Sequence, residues 1–260
     1  MMTRKLIFFD IDGTLVDHEK KIPPSTQQAI EQLKAAGHEL VIATGRGPFM
    51  LKPISEQLNI ESYVSFNGSY VVYNGEVVYS HSINPDRLAE LTQITLNNNH
   101  PLVYMTPEGM RCSTHETAYL EDAHEPLKKK LPPMEPDYYV GKDIYQCLLY
   151  CKQEDEGCYK ENFSELGFIR WHLFGSDILP PGGSKAKGIH ALVERSGFDR
   201  ENIYAFGDGL NDLEMMQYVY HSVAMGNAPD EVKQAARYVT KDVTEDGIMY
   251  GLRMLGLLKE

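Results

Sequence analysis

Short apolar runs closed by turn or charged residues alternate with helix-period stripes through the first eighty residues. Leu6–Phe9 is wholly apolar and stops at Asp10, as expected of a strand buried on both faces of a parallel sheet. Pro23-Pro24-Ser25-Thr26 marks a helix start, and apolar residues recur at Ala29, Ile30, Leu33 and Ala36 before Gly37 ends the stripe. Glu39–Ala43 predicts a second strand, running into Thr44-Gly45-Arg46. This β-α-β alternation predicts a parallel, doubly wound sheet. Residues 63–66 predict a further strand, with Asn67-Gly68 after it. Residues 70–73 and 77–79 flank Asn74-Gly75, a strong hairpin signal.

The pattern changes near Ser82. Between 83 and 181, a helical stripe over Pro85–Asn97 mixes with strand-like runs at 101–105, 110–113, 144–151 and 168–174 and a proline-rich stretch at 126–136. That mixture predicts an α+β unit. Pro180-Pro181-Gly182-Gly183 has the composition of a hinge. Beyond it the α/β alternation returns: a helix over 185–195 started by Ser184, a strand at 203–206, a helix over Leu213–Tyr218, a strand at 221–225 and a helix over 229–236. The expected organisation is a catalytic α/β core, residues 1–82 with 182–260, interrupted by an inserted α+β domain at 83–181.

Bulk composition narrows the partners. The 260 residues are 42% hydrophobic and 24% charged, ordinary for a globular protein with a substantial core. A formal net charge of −12 argues against nucleic acid or an anionic membrane as the main partner. Any anionic substrate must then meet a locally positive site. No apolar run approaches the roughly 20 residues that span a bilayer, and 6–9 is too short for a secretion signal, so a cytoplasmic location is expected. The cysteines at 112, 147, 151 and 158 lack zinc-site spacing and read as free thiols.

Four chemically loaded stretches fall at strand ends or a helix start, where ligands of open α/β sheets bind. They are Asp10-Ile11-Asp12-Gly13-Thr14, Thr44-Gly45-Arg46, Ser184-Lys185 and Gly207-Asp208-Gly209-Leu210-Asn211-Asp212. In an extended chain Asp10 and Asp12 point to the same side. The tripeptide alone fits a solvated turn equally well, but two anions at a buried strand end require a cation or a shared proton. Asp10, Asp12, Asp208 and Asp212 offer hard oxygen ligands that suit Mg²⁺. Thr44 and the Gly45 amide are placed to hydrogen-bond phosphate oxygens, and Lys185 to offset charge. Phosphoryl transfer needs chiefly positioning and charge neutralisation.

With Phe8-Phe9 before the first stretch, Ala43 before the second and Gly183 before the third, the four stretches resemble, in order, the motifs of the haloacid dehalogenase superfamily of phosphatases. The insertion resembles the type IIB cap of its Cof-like subfamily. The resemblance covers essentially the whole chain. It implies that Asp10 is the nucleophile forming an aspartyl-phosphate, and that Asp12 protonates the leaving oxygen and later activates water. It implies that Asp10, the carbonyl of Asp12, and Asp208 bind Mg²⁺, with Asp212 supporting the metal indirectly. Thr44 and Gly45 correspond to the phosphate-binding second motif, and Asn211 contacts phosphate or orients Lys185. Lys187 competes with Lys185, but on a helix the two point about 200° apart, and Lys185 follows a small residue as the family's lysine does. Arg46 is expected as either a structural or rim cation or a phosphate ligand, and Asn67-Gly68 as either a simple turn or a substrate contact. His81, His100, His115 and His172 have no partner at ligand spacing and are expected on the surface or in cap packing. Trp171, Phe168 and Phe174 are expected in the cap core, and Met215 and Met216 in helix packing.

The expected activity is Mg²⁺-dependent hydrolysis of small phosphorylated metabolites. A sugar-phosphate phosphotransferase or mutase, similar to phosphomannomutases, is the alternative. A receiver module phosphorylated on Asp10 shares the acidic site and lysine, but the Asp12 partner and the inserted domain argue against it.

Overall fold

The computed structural model describes residues 3–115, 118–124 and 131–259. The chain divides into two compact units. One contains the described residues up to Arg46, Met50–Tyr79 and those from Ser184 onward; the other contains Gly47–Phe49 and Ser80–Gly183.

The chain runs β1 (Leu6–Phe9), α1 (Pro24–Ala35), β2 (Glu39–Ala43), α2 (Pro48–Leu58), β3 (Ser62–Ser65), β4 (Tyr70–Tyr73) and β5 (Glu76–Ser80). The inserted stretch follows, with α3 (Pro85–Asn97), β6 (Leu102–Thr106), β7 (Gly109–Cys112), α4 (Ala118–His124), β8 (Gln146–Tyr150), α5 (Glu156–Asn162), β9 (Gly167–His172) and β10 (Gly175–Leu179). The chain then adds α6 (Lys185–Ser196), β11 (Ile203–Gly207), α7 (Leu213–Tyr218), β12 (His221–Ala224), α8 (Asp230–Ala235), β13 (Tyr238–Val239) and α9 (Gly247–Met254).

The first sheet has the order β13-β12-β11-β1-β2-β3-β4-β5. Its strands from β13 to β3 are parallel, and β4 turns back antiparallel on β3. The fold is therefore the α/β, doubly wound kind that the alternation predicts. β1 pairs Phe9 with Ile42 on one side and with Phe206 on the other. All four of its side chains are fully buried, but in two separate layers. Ile7 and Phe9 pack with apolar residues of α1 and α9, whereas Leu6 and Phe8 pack with those of α6 and α7. Each buried apolar side chain contributes roughly 1.5–3 kcal/mol, which explains a strand with no polar alternation. The strand order reverses around β1, so its C-terminal end is a topological switch point, where open α/β sheets bind ligands.

The second unit carries an antiparallel sheet, β7-β6-β8-β10-β9. Leu102, Tyr104, Cys147, Leu149 and Ile178 of that sheet pack with Leu88 and Leu91 of α3 and Tyr159 of α5. Cys147 and Leu149 share this face, as strand alternation requires. Cys112, Cys147 and Cys151 are buried free thiols and Cys158 is exposed.

Several expectations change. Trp171 does not pack the cap core: it is 41% exposed. β9 is an edge strand, and Trp171 stands on the face opposite Phe168, which does pack against the cluster. The strand expected at 168–174 ends at His172, because the chain turns at Leu173-Phe174, and the returning strand β10 lies beyond the expected run. Helix α2 gave no sequence signal, since Pro53 lies inside it and reads as a break. Of the proline-rich stretch, residues 126–130 lie outside the described residues.

Candidate functional site

The parallel ladder continues one residue past β1, where the Asp10 amide donates to the Phe206 carbonyl at 2.9 Å. This places Asp10, 6% exposed, at the switch point. Its counterion comes from the start of α6. Ser184 caps that helix, its hydroxyl accepting from the Lys187 amide at 3.3 Å, and Lys185 is the first helical residue. The Lys185 Nζ donates to Asp10 Oδ1 and to Asp212 Oδ1, both at 2.6 Å, with its side chain wholly buried. Lys187 is exposed. The helical offset between the two lysines puts only one of them in the cluster. The approach of α6 depends on Gly68, at φ +96°, because a Cβ there would collide with the Ser184 carbonyl.

The loop after β11 supplies the other carboxylates. Asp212 Oδ2 accepts from the amides of Asp208 and Gly209 at 2.9 Å each, closing the loop on itself. Asp208 Oδ1 accepts from the Thr14 hydroxyl at 3.0 Å, and its Oδ2 from Asn227 Nδ2 at 3.1 Å. Oxygens of Asp10, Asp208 and Asp212 all lie within 4.8 Å of one another. Three carboxylates therefore share one ammonium. Burial pushes Asp10 up to about 8 despite Lys185, and Asp212, Asp208 and Asp12 add to the rise. Burial, then Asp212, pushes Asp208 up to about 6. Lys185 is pushed upward: burial disfavours its charge, but Asp10 and Asp212 outweigh that penalty. An uncompensated cluster of hard oxygens in a buried place fits a small divalent cation. Asp212 carries the Lys185 ammonium on Oδ1 and two backbone amides on Oδ2, whereas each Asp208 oxygen takes a single neutral donor, so Asp10 and Asp208 are better placed for direct ligation.

Asp12 behaves differently from its neighbour, and the side-by-side extended arrangement expected for the pair does not occur. β1 ends at Phe9, and the amide of Val16 bonds back to the Ile11 carbonyl, so 11–16 is a turn. The Asp12 side chain is 42% exposed. Its carboxylate takes a two-pronged contact from Arg46, Nε to Oδ2 at 2.8 Å and Nη2 to Oδ1 at 2.6 Å, and a third from Lys20 Nζ at 2.7 Å. Desolvation alone would raise its pKa, but the Arg46 and Lys20 contacts hold it down at about 2. Arg46 thus pairs with the Asp12 carboxylate.

Thr44 is buried at the end of β2, and its hydroxyl accepts from the Arg46 amide at 3.1 Å, two residues on. The Asn67 amide donates to the Thr44 carbonyl at 3.1 Å. Asn211 Nδ2 donates to Asn67 Oδ1 at 3.0 Å, and the Asn67 amide group lies beside Gly45. Phe66 and Asn67 both take left-handed backbone angles, φ 49° and 48°, while buried. Non-glycine residues hold such angles only where their surroundings impose them, commonly at functional sites. Asn67 is therefore more than a surface turn. Thr44, Gly45, Asn67 and Asn211 form one hydrogen-bonded rim, and Asp10, Lys185, Asp208 and Asp212 a buried cluster beside Asp12. No sequence signal marks Lys20 or Asn227. Lys20 lies outside every motif, and Asn227 follows a strand in the stretch Met225-Gly226-Asn227-Ala228, which carries no ionisable side chain.

His100 accepts or donates to the Tyr159 hydroxyl at 2.7 Å within the second unit. Met215 and Met216 are buried in the layer beneath α6.

Residues 7–252 match the family model of the haloacid dehalogenase-like hydrolases. Over 258 residues the chain is 45% identical to the protein YkrA of Bacillus subtilis (strain 168), provisionally named a phosphatase; the match covers 99% of this chain and all of YkrA. A crystal structure of a hypothetical protein from Geobacillus kaustophilus HTA426 superposes with a TM-score of 0.94 at 48% identity, covering 98% of this chain and all of that one. The structure of a subclass IIB sugar phosphatase of the same superfamily superposes with a TM-score of 0.86 at 29% identity, covering 98% of this chain and all of that one.

Proposed function

This chain belongs to the haloacid dehalogenase-like hydrolases, a family whose members similar to it are named phosphatases, and from that premise we propose that it is a Mg²⁺-dependent phosphomonoester hydrolase that works through an aspartyl-phosphate on Asp10. The observation that carries this reading is the contrast between two aspartates two residues apart. Asp10 is buried against Lys185, whereas Asp12 sits in a turn with an exposed carboxylate.

In the proposed reaction an Asp10 carboxylate oxygen attacks phosphorus as the ester P–O bond breaks. The Asp12 carboxyl gives its proton to the departing oxygen. Asp12 then takes a proton from water, the hydroxide attacks phosphorus, and the Asp10–phosphorus bond breaks to release inorganic phosphate. To carry a proton Asp12 must exchange its contacts with Arg46 and Lys20 for the leaving oxygen, because those cations favour its ionised form. Lys185 neutralises Asp10 and the incoming phosphate, and Thr44, Gly45 and Asn211 orient the phosphate oxygens. Mg²⁺, held by Asp10, the Asp12 carbonyl and Asp208 with Asp212 behind them, would offset the phosphate charge. The substrate class is small phosphorylated metabolites.

The test is turnover of a generic aryl phosphate. Asp10→Asn should abolish it, EDTA should remove it and Mg²⁺ should restore it. A near wild-type rate in Asp10→Asn would contradict the nucleophile assignment. Following a sugar phosphate by ³¹P NMR separates hydrolysis, which gives free phosphate, from a mutase, which returns an isomeric sugar phosphate.

A further inference from the structure

We propose that Asn227 is a positioning residue for the divalent cation, acting through Asp208. The inference rests on the Mg²⁺ reading above and deepens it. Asn227 lies just after β12, in a loop pinned to the following segment by the Gly226 amide bonding the Lys241 carbonyl at 2.8 Å. Its Oδ1 accepts from the Val243 amide at 3.0 Å. Its Nδ2 donates to the Gly13 carbonyl at 2.9 Å and to Asp208 Oδ2 at 3.1 Å. The amide orientation follows from these partners. A flipped group would set its oxygen against two acceptors and its NH₂ against an N–H donor.

Asn227 thus joins three separate parts of the chain: the 226–243 loops, the turn after β1, and the Asp208 carboxylate. Gly13 is at φ +77°, and a Cβ there would fall on the Asp208 carboxylate. Asp208 therefore lies directly against the Gly13 backbone, and one amide holds both. The Thr14 hydroxyl occupies the other oxygen of Asp208 at 3.0 Å. Each carboxylate oxygen is aimed by one neutral donor and keeps a lone pair for the cluster with Asp10 and Asp212. Neutrality matters. Lys185 already balances part of the negative charge of Asp10 and Asp212, so a second cation on Asp208 would cancel the charge that attracts the metal. An amide fixes the direction of the carboxylate and leaves its charge intact. Partners of this kind typically alter metal affinity 10–100-fold.

The experiment is calorimetric titration of Mg²⁺ into the metal-free full-length protein, wild type against Asn227→Ala and the milder Asn227→Ser, with Tm measured before Mg²⁺ is added. The expected result is a Kd for Mg²⁺ weakened about 10–100-fold, with the Mg²⁺-free Tm within about 4 °C of wild type. If Asn227→Ala does not fold, Asn227→Ser decides. An unchanged Kd in the folded variant, whether or not Tm falls, would mean a purely structural role and overturn the inference alone. A wild-type protein that binds no Mg²⁺ would sink both the inference and the metal-dependent reading.

Discussion

Two aspartates separated by one isoleucine sit in opposite electrostatic surroundings, and the difference comes from where the strand ends. Asp10 is still on the ladder and shares the buried ammonium of Lys185. Asp12 lies in the turn and collects two surface-facing cations. The spacing singled out both carboxylates, but strand alternation misplaced Asp12, because period-2 reasoning holds only while the chain stays extended. Helix geometry allowed only one of Lys185 and Lys187 to face the site, and the small residue before Lys185, as in the family it resembles, pointed to Lys185. Lys185→Met should be severe on both counts. It leaves Asp10 and Asp212 buried with no cation, which costs about 3–5 kcal/mol by urea unfolding, and it should abolish phosphatase activity. Lys187→Met should leave stability within about 0.5 kcal/mol of wild type, as for an exposed residue. Equal effects of the two substitutions would contradict the assignment.

At the scale of elements, the turn after β3 carries more than its Asn67-Gly68 sequence suggests. A hairpin or loop reading accounts for the glycine but not for a buried Phe66 and Asn67 in left-handed angles. Those angles are imposed by tertiary contacts with β2, α6 and the loop after β11, none of which is local in sequence. Asn67→Ala removes the acceptor for Asn211 and places a less tolerant residue at φ 48°. It should destabilise the protein by about 1–3 kcal/mol and weaken competitive inhibition by inorganic phosphate, measured as a higher Ki. An unchanged Ki would confine Asn67 to folding. Helix α2 and strand β10 escaped the sequence for local reasons too. Pro53 disguises the helix, and Gly175-Ser176-Asp177 has little strand propensity, although its pairing with β8 and β9 overrides that.

For the whole molecule, the periodic segments and their order were legible because the sheet is buried on both faces and its strands read as plain apolar runs. The change of pattern near residue 82 showed as short strand-like runs mixed with a helical stripe and prolines in place of further β-α-β alternation. What selects the leaving group was not legible, because no motif of the sequence marks it. Histidines in both units make a global pH prediction. Burial lowers the pKa of His38 and His221 in the first unit, and of His100 in the second, where Asp155 opposes the shift without reversing it. A folded pKa below the unfolded value near 6.5 means the unfolded chain takes up these protons first. The stability is therefore complete above pH 6.5 and falls as the pH drops below it. In saturating Mg²⁺, Tm should be flat from pH 8 to 7 and decline from 6.5 to 5.5. A Tm that rises over the lower interval would contradict it.

The proposed reaction passes phosphate through Asp10. Rapid-quench trapping of turning-over enzyme with borohydride, followed by peptide mass spectrometry, reads this directly. An aspartyl-phosphate is reduced to homoserine at the modified position. Modification at Asp10 that requires substrate, with Asp12, Asp208 and Asp212 unmodified, is the predicted result. Robust turnover with no trapped residue, or trapping at one of the other three aspartates, would contradict it.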